Sequence, residues 1–355
     1  MHPLLQVLGI DLPIIQAPMA GISTPTMAAA VSNAGALGSI GVGSVDAKTT
    51  RLMIAEVRSK TDRPFNVNVF CHQPAVADAT REANWLRRLE PEFRRYSAAP
   101  PSKLTEVYQS FLTDDDKLTV FLEERPPIVS FHFGLPSKNR IEALRSAGVK
   151  LLATATSVEE ASIIADAGID AVVAQGFEAG GHRGMFDPKQ KDEQLGTMAL
   201  VRLLVKKIDL PVIAAGGIMD GAGIAASLQL GAAVAQLGTA FIGCPESSAD
   251  AGFRTALLGS NSKHTVMTAA ISGRPARCLA NRFTEFGKQT APAEIPDYPI
   301  AYDAGKSLNA VAKAANEFGY GAQWAGQAAP LARAIPAGEL VAILKREMET
   351  AIANH

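Results

Sequence analysis

The residues best suited to chemistry lie in a glycine-rich stretch near the middle of the chain. Four glycines fall within the nine residues 176–184, and His182 stands among them. Glycines leave backbone amides accessible, while an imidazole can accept a proton near neutral pH or, once protonated, bind an anion. A lone histidine is usually structural or simply exposed, but its place in this loop favours a role in a reaction. We therefore predict that His182 is catalytic.

Two further glycine motifs have the character of a phosphate site. They are AAGGI at residues 214–218 and QLGTAF at residues 236–241. Glycines let backbone N–H groups approach a phosphate closely, and Thr239 can add a hydroxyl donor. Either motif alone could be an ordinary tight turn. Together, each at the end of an apolar run, they predict a phosphate site at Gly216, Gly217, Gly238 and Thr239.

Groups suited to a flat polar ring occur near two other apolar runs. QAPMAG at residues 16–21 places Ala17, Pro18 and Met19 where backbone groups are exposed. FNVNVF at residues 65–70 has Asn66 and Asn68 at alternate positions, hence on one face of a strand. Buried amides need partners, which could be other groups inside the fold or a ligand with amide-like edges, such as a flavin.

Eight short apolar runs must position these residues. Most lack polar alternation, as is typical of parallel strands covered on both faces. Amphipathic helical patterns lie between most of them, and several end in glycine, a common helix C-terminal signal. This alternation predicts a (β/α)8 TIM barrel, with a doubly wound open sheet as the alternative. The runs span residues 13–19, 37–42, 65–71, 128–133, 150–155, 171–175, 211–215 and 233–237.

A barrel of this kind would bring the glycine motifs to one end. Active sites lie at the carboxyl ends of barrel strands, and phosphates commonly bind after strands seven and eight, where AAGGI and QLGTAF fall. Two segments interrupt the alternation of strands and helices. Residues 72–127 are interpreted as a helical insertion after strand three, and residues 247–355 as a helical C-terminal cap over the substrate site. We therefore predict a cofactor-binding barrel at residues 1–246 and a cap domain at 247–355.

The composition argues against several classes of function. The 355 residues carry 34 basic and 35 acidic side chains, a net charge of −1, so nucleic-acid binding through bulk electrostatics is not expected. No apolar stretch long enough to span a membrane and no signal-peptide pattern occurs, so we expect a soluble, cytoplasmic protein without membrane contact. Cys71, Cys244 and Cys278 lack metal-ligand spacing, so we expect reduced thiols and no metal.

Eight motifs spread over almost the whole chain resemble those of one family. They are QAPMAGISTP at residues 16–25, FNVNVFCH at 65–72, SFHFG at 130–134, AQGFEAGGHRG at 174–184, AAGGIMDG at 214–221, QLGTAF at 236–241, SGRPAR at 272–277 and AQWAGQ at 322–327. AAGGI and LGTAF occur in other FMN barrels, whereas the HRG stretch and the C-terminal motifs are more specific. With these motifs the chain resembles class I bacterial nitronate monooxygenases, formerly called 2-nitropropane dioxygenases.

This resemblance implies one non-covalent FMN and His182 as the catalytic histidine. It implies oxidation of alkyl nitronates, with propionate 3-nitronate as the usual substrate, to a carbonyl compound and nitrite with O2 as the oxidant. Such an enzyme would be a monomer or a homodimer. The residues implied to bind FMN are Ala17, Pro18, Met19, Asn68, Gln175, Gly180, Gly181, Gly216, Gly217, Gln236, Leu237, Gly238 and Thr239. Those implied to bind the substrate are Tyr108, His132, Tyr298, Tyr302 and Lys306.

Two other functions fit the same phosphate loops. One is an NAD(P)H-dependent quinone or enoyl reductase on an FMN barrel, which needs an open flavin face for the nicotinamide. The bulky Tyr, Trp and Lys side chains of the insertion and cap suit a small anion better. The other is a non-catalytic barrel that binds FMN or a sugar phosphate, and His182 in its glycine-rich loop argues against it.

Overall fold

Eight parallel strands form the central sheet of the protein, whose computed structural model describes residues 2–354. Residues 2–354 contain eleven strands in all. In chain order they are β1 (Ile14–Gln16), β2 (Gly38–Gly41), β3 (Phe65–Phe70), β4 (Ile128–His132), β5 (Lys150–Ala155), β6 (Ala171–Gln175), β7 (Gly181–His182), β8 (Val212–Ala215), β9 (Val234–Leu237), β10 (Thr265–Thr268) and β11 (Ala276–Leu279). Strands β7, β10 and β11 make a second, antiparallel sheet. The other eight coincide with the eight predicted apolar runs.

The central sheet closes into a barrel. Its hydrogen-bonded order is β1-β9-β8-β6-β5-β4-β3-β2. The two end strands meet through a parallel bridge between Ile15 and Leu37, and the Gln16 N–H donates to the Leu37 carbonyl at 2.9 Å. This closure confirms the predicted (β/α)8 barrel and excludes the open doubly wound sheet.

Helices surround the barrel, seal one of its ends and form much of the added segments. In chain order they are α1 (Pro3–Leu8), α2 (Pro25–Asn33), α3 (Ala47–Arg58), α4 (Ala79–Arg94), α5 (Asp115–Glu124), α6 (Lys138–Ser146), α7 (Val158–Asp166), α8 (Thr197–Lys207), α9 (Gly221–Gln229), α10 (Thr239–Ile242), α11 (Ala251–Leu258), α12 (Arg282–Lys288), α13 (Ile300–Ala314) and α14 (Ala337–Ala353). Short 3-10 helices span Ser260–Lys263, Pro292–Glu294 and Ala329–Leu331. The last helix, α14, packs against α9 and α2 and so completes the ring around the barrel.

Side-chain caps set where several barrel helices begin. Thr24, Asp46 and Asp220 each precede a helix, and their side chains accept the backbone N–H three residues further on. Such caps satisfy an N–H group that has no partner inside the helix. Because the strand-to-helix loops surround the carboxyl-terminal mouth of a barrel, these caps fix the shape of that mouth.

The opposite end of the barrel is sealed by apolar side chains. Helix α1 places Leu4, Leu5 and Leu8 in one buried cluster with Ile15 and Leu37 of the barrel. Alternate residues of a strand point to the same side, and the inward positions nearer the mouth are polar. Those positions include Asn68, Ser130, His132, Thr154, Gln175 and Gln236. The barrel therefore has one closed apolar end and one open polar end.

The two additions to the barrel differ in detail from expectation. Within residues 72–127, α4 is extra, but α5 packs on α3 and α6 as an ordinary barrel helix. The expectation that residues 247–355 are entirely helical is wrong, because β10 pairs with β11 and β11 pairs with β7. These strands depend on pairing between segments far apart in sequence, which local patterns do not report. The domain division near residue 246 stays a prediction, and α14 packs with barrel helices.

Two properties of residues 2–354 bear on the setting of the protein. None of the helices there is both long enough and apolar enough to cross a membrane. The three cysteines, Cys71, Cys244 and Cys278, are buried and unpaired, so the fold of these residues does not depend on a disulfide.

Candidate active site

A cavity opens at the carboxyl-terminal mouth of the barrel, where the sequence analysis places the active site. It holds about 1370 Å³ of empty space, open solvent at its mouth included. Each of the eight barrel strands contributes to its wall, directly or through the loop that follows. The C-terminal segment adds Tyr298, Tyr302, Trp324, Gly326 and Ala328.

Twelve of the thirteen predicted cofactor residues line this cavity. The exception is Leu237, whose side chain belongs to the main hydrophobic core and whose carbonyl accepts the Ala17 N–H at 2.8 Å. Leu237 follows Gln236 in β9, and successive strand residues point to opposite faces. Gln236 therefore faces the cavity, whereas Leu237 packs in the core behind the cavity wall. The twelve are Ala17, Pro18, Met19, Asn68, Gln175, Gly180, Gly181, Gly216, Gly217, Gln236, Gly238 and Thr239.

The glycine-rich part of the cavity suits a phosphate. Gly216 and Gly217 have φ of 121° and 70°, conformations that residues with a side chain rarely adopt. The Thr239 hydroxyl accepts the Gly326 N–H at 3.0 Å, so its own proton stays available to a ligand. A Cβ atom on Gly181 would meet no protein atom within 4 Å, so that backbone faces open space. These groups offer the donors and the room that the phosphate of FMN needs.

Three amide side chains line the cavity and differ in what they leave free. Asn68 donates to the Ser130 hydroxyl at 2.9 Å, and no donor within residues 2–354 reaches its Oδ1. The Gln236 side chain makes no hydrogen bond to those residues. Gln175, by contrast, donates to the His182 carbonyl at 2.9 Å and accepts a backbone N–H of the same loop at 2.7 Å. Asn68 and Gln236 can therefore contact a polar ring edge, whereas Gln175 mainly anchors the His182 loop.

His182 lies in β7 at the cavity wall, and its side chain contacts aromatic rings. Its nearest ring centroids are those of Trp324 at 5.0 Å and Tyr298 at 5.3 Å. Nε2 is 2.9 Å from the Ser272 hydroxyl, and within the described chain Nδ1 has no partner. Burial first, and then the nearby His132 and Arg274, lower the pKa of His182 well below its usual value. The imidazole is therefore neutral at physiological pH and can act as a base.

His132 also lines the cavity, with both ring nitrogens engaged. Nε2 lies 3.2 Å from the His182 carbonyl, and Nδ1 lies 3.1 Å from the Thr154 hydroxyl. Because a carbonyl only accepts, Nε2 carries the proton and Nδ1 accepts from Thr154. Burial lowers the pKa of His132 to about 4. His132 is thus a neutral group that fixes the backbone of His182.

The three predicted tyrosines join Phe133 in an aromatic wall. Tyr108 lies 5.9 Å from Tyr302 and 6.4 Å from Tyr298, between ring centroids. Burial raises the pKa of all three phenols, that of Tyr302 to about 12, so they stay protonated and can donate. The buried Tyr298 hydroxyl has no hydrogen-bond partner within residues 2–354. A buried polar atom of this kind needs a water or ligand partner.

Lys306, predicted to bind substrate, does not line the cavity. Its Nζ lies 4.3 Å from the ring centroid of Tyr108 and 5.3 Å from that of Tyr302. The side chain is at the surface, and partial desolvation lowers the pKa of its ammonium group. In this conformation Lys306 contacts the cavity only through the two tyrosines.

Arg274 is a candidate that the sequence analysis did not select, although it lies in the SGRPAR motif. Its side chain is 3% exposed, and its guanidinium carbon lies 4.1 Å from the ring centroid of Phe133. Nε has no hydrogen-bond partner, and no carboxylate lies within 4.0 Å, among the residues described. Burial lowers the pKa of Arg274 to about 10, so it stays charged. A buried cation without a counter-ion makes its surroundings favourable for an anion.

Other cavity residues escaped the sequence analysis for two different reasons. Ser130 and Thr154 sit at inward positions of β4 and β5, and strand alternation would have identified them. Phe133, Trp324 and Gly326 reach the cavity through turns of the chain that no local pattern predicts.

Comparison with known proteins adds a separate finding. A family model described as nitronate monooxygenase matches residues 2–347. The chain is 62% identical over 349 residues to a nitronate monooxygenase from Paraburkholderia phytofirmans, covering 98% of this chain and 95% of that protein. It is 53% identical over 345 residues to one from Pseudomonas aeruginosa, covering 97% and 98%. A solved structure of a nitroalkane oxidase from Streptomyces ansochromogenes matches with a TM-score of 0.90 and 39% identity over 99% of both chains.

Proposed function

Because this chain belongs to the nitronate monooxygenase family and is an enzyme, we propose that it binds one FMN and oxidises alkyl nitronates. The products would be a carbonyl compound and nitrite, with O2 as the oxidant, and substrates would be of the propionate 3-nitronate type. The names of its relatives support this reaction class. So does the likeness to a nitroalkane oxidase, since nitronates are the conjugate bases of nitroalkanes.

The observation that carries this proposal is one cavity with three chemically distinct parts. Gly216, Gly217 and Thr239 would hold the phosphate of FMN. Met19 and Asn68 would lie against its ring, the amide contacting a polar edge. When bound, FMN supplies the electron acceptor for the oxidation of the substrate. The aromatic wall with His182 forms the remaining part and would hold the substrate.

The substrate part of the cavity suits a small anion. Protonated phenols of Tyr108, Tyr298 and Tyr302 can donate hydrogen bonds to nitronate oxygens. Arg274, buried behind Phe133, adds positive potential without contacting the substrate. A nitronate needs no base, whereas a neutral nitroalkane must lose an α-proton, which neutral His182 can accept.

A reductase that uses NAD(P)H is less compatible with this arrangement. A nicotinamide must stack on the flavin, and Tyr298, Tyr302 and Trp324 already line the cavity beside His182. These rings leave less room for a second flat ring than for a small aliphatic substrate.

The test is the visible spectrum of the purified protein. We expect a yellow protein that releases FMN on heating, loses its colour on anaerobic addition of ethyl nitronate, and responds slowly to NADPH. A colourless protein that ignores added FMN, or one that releases FAD, would contradict the cofactor proposal. Rapid bleaching by NADPH without a response to nitronate would favour the reductase. Yellow protein that turns over neither compound would favour a non-catalytic binding protein.

A further inference from the structure

Ser272 lies directly behind His182 and outside the cavity lining. It is fully buried in the turn between β10 and β11, and its hydroxyl oxygen is 2.9 Å from Nε2 of His182. The same hydroxyl donates to the Arg274 carbonyl at 3.2 Å. We propose that Ser272 is the positioning residue that keeps the proton of His182 on Nε2 and leaves Nδ1 free as the base. This inference rests on the proposed function.

The direction of these two hydrogen bonds follows from the acceptors. A carbonyl cannot donate, so the Ser272 hydroxyl proton points to Arg274. No other donor within residues 2–354 reaches that carbonyl. The oxygen of Ser272 then faces Nε2 with a lone pair, and Nε2 must carry the proton. A neutral imidazole has only one N–H, so Nδ1 is left as the acceptor.

The rest of the protein fixes the backbone of His182 but not its tautomer. Its carbonyl accepts from His132 and Gln175, at 3.2 Å and 2.9 Å, and β7 pairs with β11 at this residue. Four aromatic rings, those of Phe133, Tyr298, Tyr302 and Trp324, lie with their centroids 5.0–6.3 Å from that of the imidazole. Within residues 2–354 the Ser272 hydroxyl is the one group that hydrogen-bonds a ring nitrogen of His182, and this bond distinguishes the two nitrogens.

The surroundings also keep the imidazole neutral. Arg274 is a buried cation without a carboxylate within 4.0 Å among the described residues, and it disfavours a second positive charge nearby. The other titratable neighbours, His72, His132, Tyr298 and Tyr302, are uncharged at neutral pH because burial lowers the pKa of the histidines and raises that of the tyrosines.

A neutral ring with a free Nδ1 can perform one defined proton transfer. The α-C–H bond of a nitroalkane breaks, its proton forms an N–H bond at Nδ1, and its electron pair moves into the nitro group to give the nitronate. A histidine of the opposite tautomer would present an N–H to the substrate and could not accept this proton. Ser272 therefore matters for nitroalkanes and much less for preformed nitronates.

The experiment compares Ser272→Ala with wild type as FMN-loaded full-length enzyme. Nitrogen NMR of histidine-labelled protein, assigned with His182→Asn, should show Nε2 protonated in wild type and a mixture of tautomers in the variant. The kcat/KM for nitroethane should fall by ~10–100-fold, the size of loss seen when the partner that orients a metal-bound histidine is removed, and its pH profile should shift. Ethyl nitronate should lose less than about three-fold, because no base is required. Ser272→Thr retains the hydroxyl, so its NMR spectrum and its kcat/KM for nitroethane should resemble those of wild type.

Ser32→Ala is the matched control, because Ser32 is also buried, accepts a backbone N–H and donates to a carbonyl, and does not line the cavity. It should leave both readouts unchanged. Unaltered histidine spectra and full nitroethane activity in Ser272→Ala would overturn the proposal, as would equal losses with nitroethane and nitronate. If wild type oxidises no nitronate, the proposed function fails, but the NMR comparison still tests the tautomer. An additional loss on combining Ser272→Ala with His182→Asn would also contradict it, since coupled residues are not additive.

Discussion

A hydrogen bond joins the ring of His132 to the backbone of His182 in this cavity. Nε2 of His132 lies 3.2 Å from the carbonyl oxygen of His182. This hydrogen bond fixes the backbone of His182. His132 has both nitrogens engaged, whereas His182 keeps one free. Of these two imidazoles, only His182 has a nitrogen available to take a proton from a substrate.

Replacing His182 with Asn should therefore damage two substrates unequally. Loss of a general base typically costs ~10²–10⁴-fold, and we expect that loss in kcat/KM for a neutral nitroalkane. Turnover of the preformed nitronate should survive much better, because it is already deprotonated. The measurement is kcat/KM for nitroethane and ethyl nitronate, normalised to flavin content.

Flavin content itself serves as the control, since the phosphate loops lie on other strands and should still hold FMN. Equal loss with both substrates would make His182 a binding residue instead of a base. No loss with either would remove it from the reaction.

At the scale of elements, Gly238 in the loop after β9 offers a sharper test of the phosphate site than Gly217 in the loop after β8. Gly217 has a positive φ, so any side chain there would strain the backbone as well as block the ligand. Gly238 has φ −105°, and a Cβ there would make only ordinary contacts, 3.5 Å from Ala17 and 3.8 Å from Met19. A substitution at Gly238 therefore separates blocked binding from backbone strain.

We expect Gly238→Val to fold normally and to lose FMN binding. The valine side chain would project beside Ala17 and Met19, into space that the bound FMN needs. Gly338→Ala is the control, because its Cβ also has room, 3.5 Å from the nearest atom, but at the start of α14. Flavin content and thermal unfolding of both variants check the prediction. Normal flavin content in Gly238→Val would mean that the phosphate lies elsewhere.

Helix α13 carries Tyr302 and Lys306 one turn apart, so the two side chains lie on the same face. Lys306→Met keeps the aliphatic stem and removes the charge near the mouth. We expect KM for propionate 3-nitronate to rise by about five-fold, in keeping with an exposed charge interaction of roughly 1 kcal/mol. KM for a neutral alkyl chain, as in ethyl nitronate, should rise less. Lys313→Met on the same helix should change neither, and equal effects of Lys306→Met on both substrates would exclude a role in binding the carboxylate.

The elements that could be predicted from the sequence are those with a local signal. The eight barrel strands are apolar runs, and the glycine loops that follow them combine a special backbone conformation with a fixed place in the barrel. Strand β11 has no such signal, because it forms by pairing with the His182 loop. Leu237 was included with its motif although strand alternation turns it away, and Arg274 was missed because burial of a cation cannot be read from a sequence.

At the scale of the whole molecule, buried neutral histidines make stability depend on pH. Burial lowers the pKa of His72 and of His132 to about 4, whereas each titrates near 6.5 when unfolded. Between these values the unfolded state binds more protons, so the free energy of unfolding is full above about pH 6.5 and falls as the pH is lowered towards 4. Each histidine contributes a loss of about 3 kcal/mol at pH 4 on this scale.

His72→Leu should therefore reduce this acid sensitivity. Neither ring nitrogen of His72 has a hydrogen-bond partner of normal geometry within residues 2–354, so the change removes a titrating group at little cost in polar contacts. The free energy of unfolding is measured with urea at about pH 7 and pH 4.5, with saturating FMN. Its decrease between the two pH values should be about 2 kcal/mol smaller in the variant than in wild type. His264→Gln, at an exposed histidine, should behave as wild type. An identical drop in all three proteins would contradict the prediction.

The position of α14 has a consequence for how the chain is made. This helix buries Leu340, Val341, Leu344 and Met348 against α9 and α2, so the first and last parts of the chain share one interface. During synthesis the apolar faces of α9 and α2 stay uncovered until α14 has emerged from the ribosome. Exposed faces of that kind favour aggregation of nascent chains. Premature termination before residue 337 would therefore yield a barrel with every catalytic loop present and one side of its core open to water.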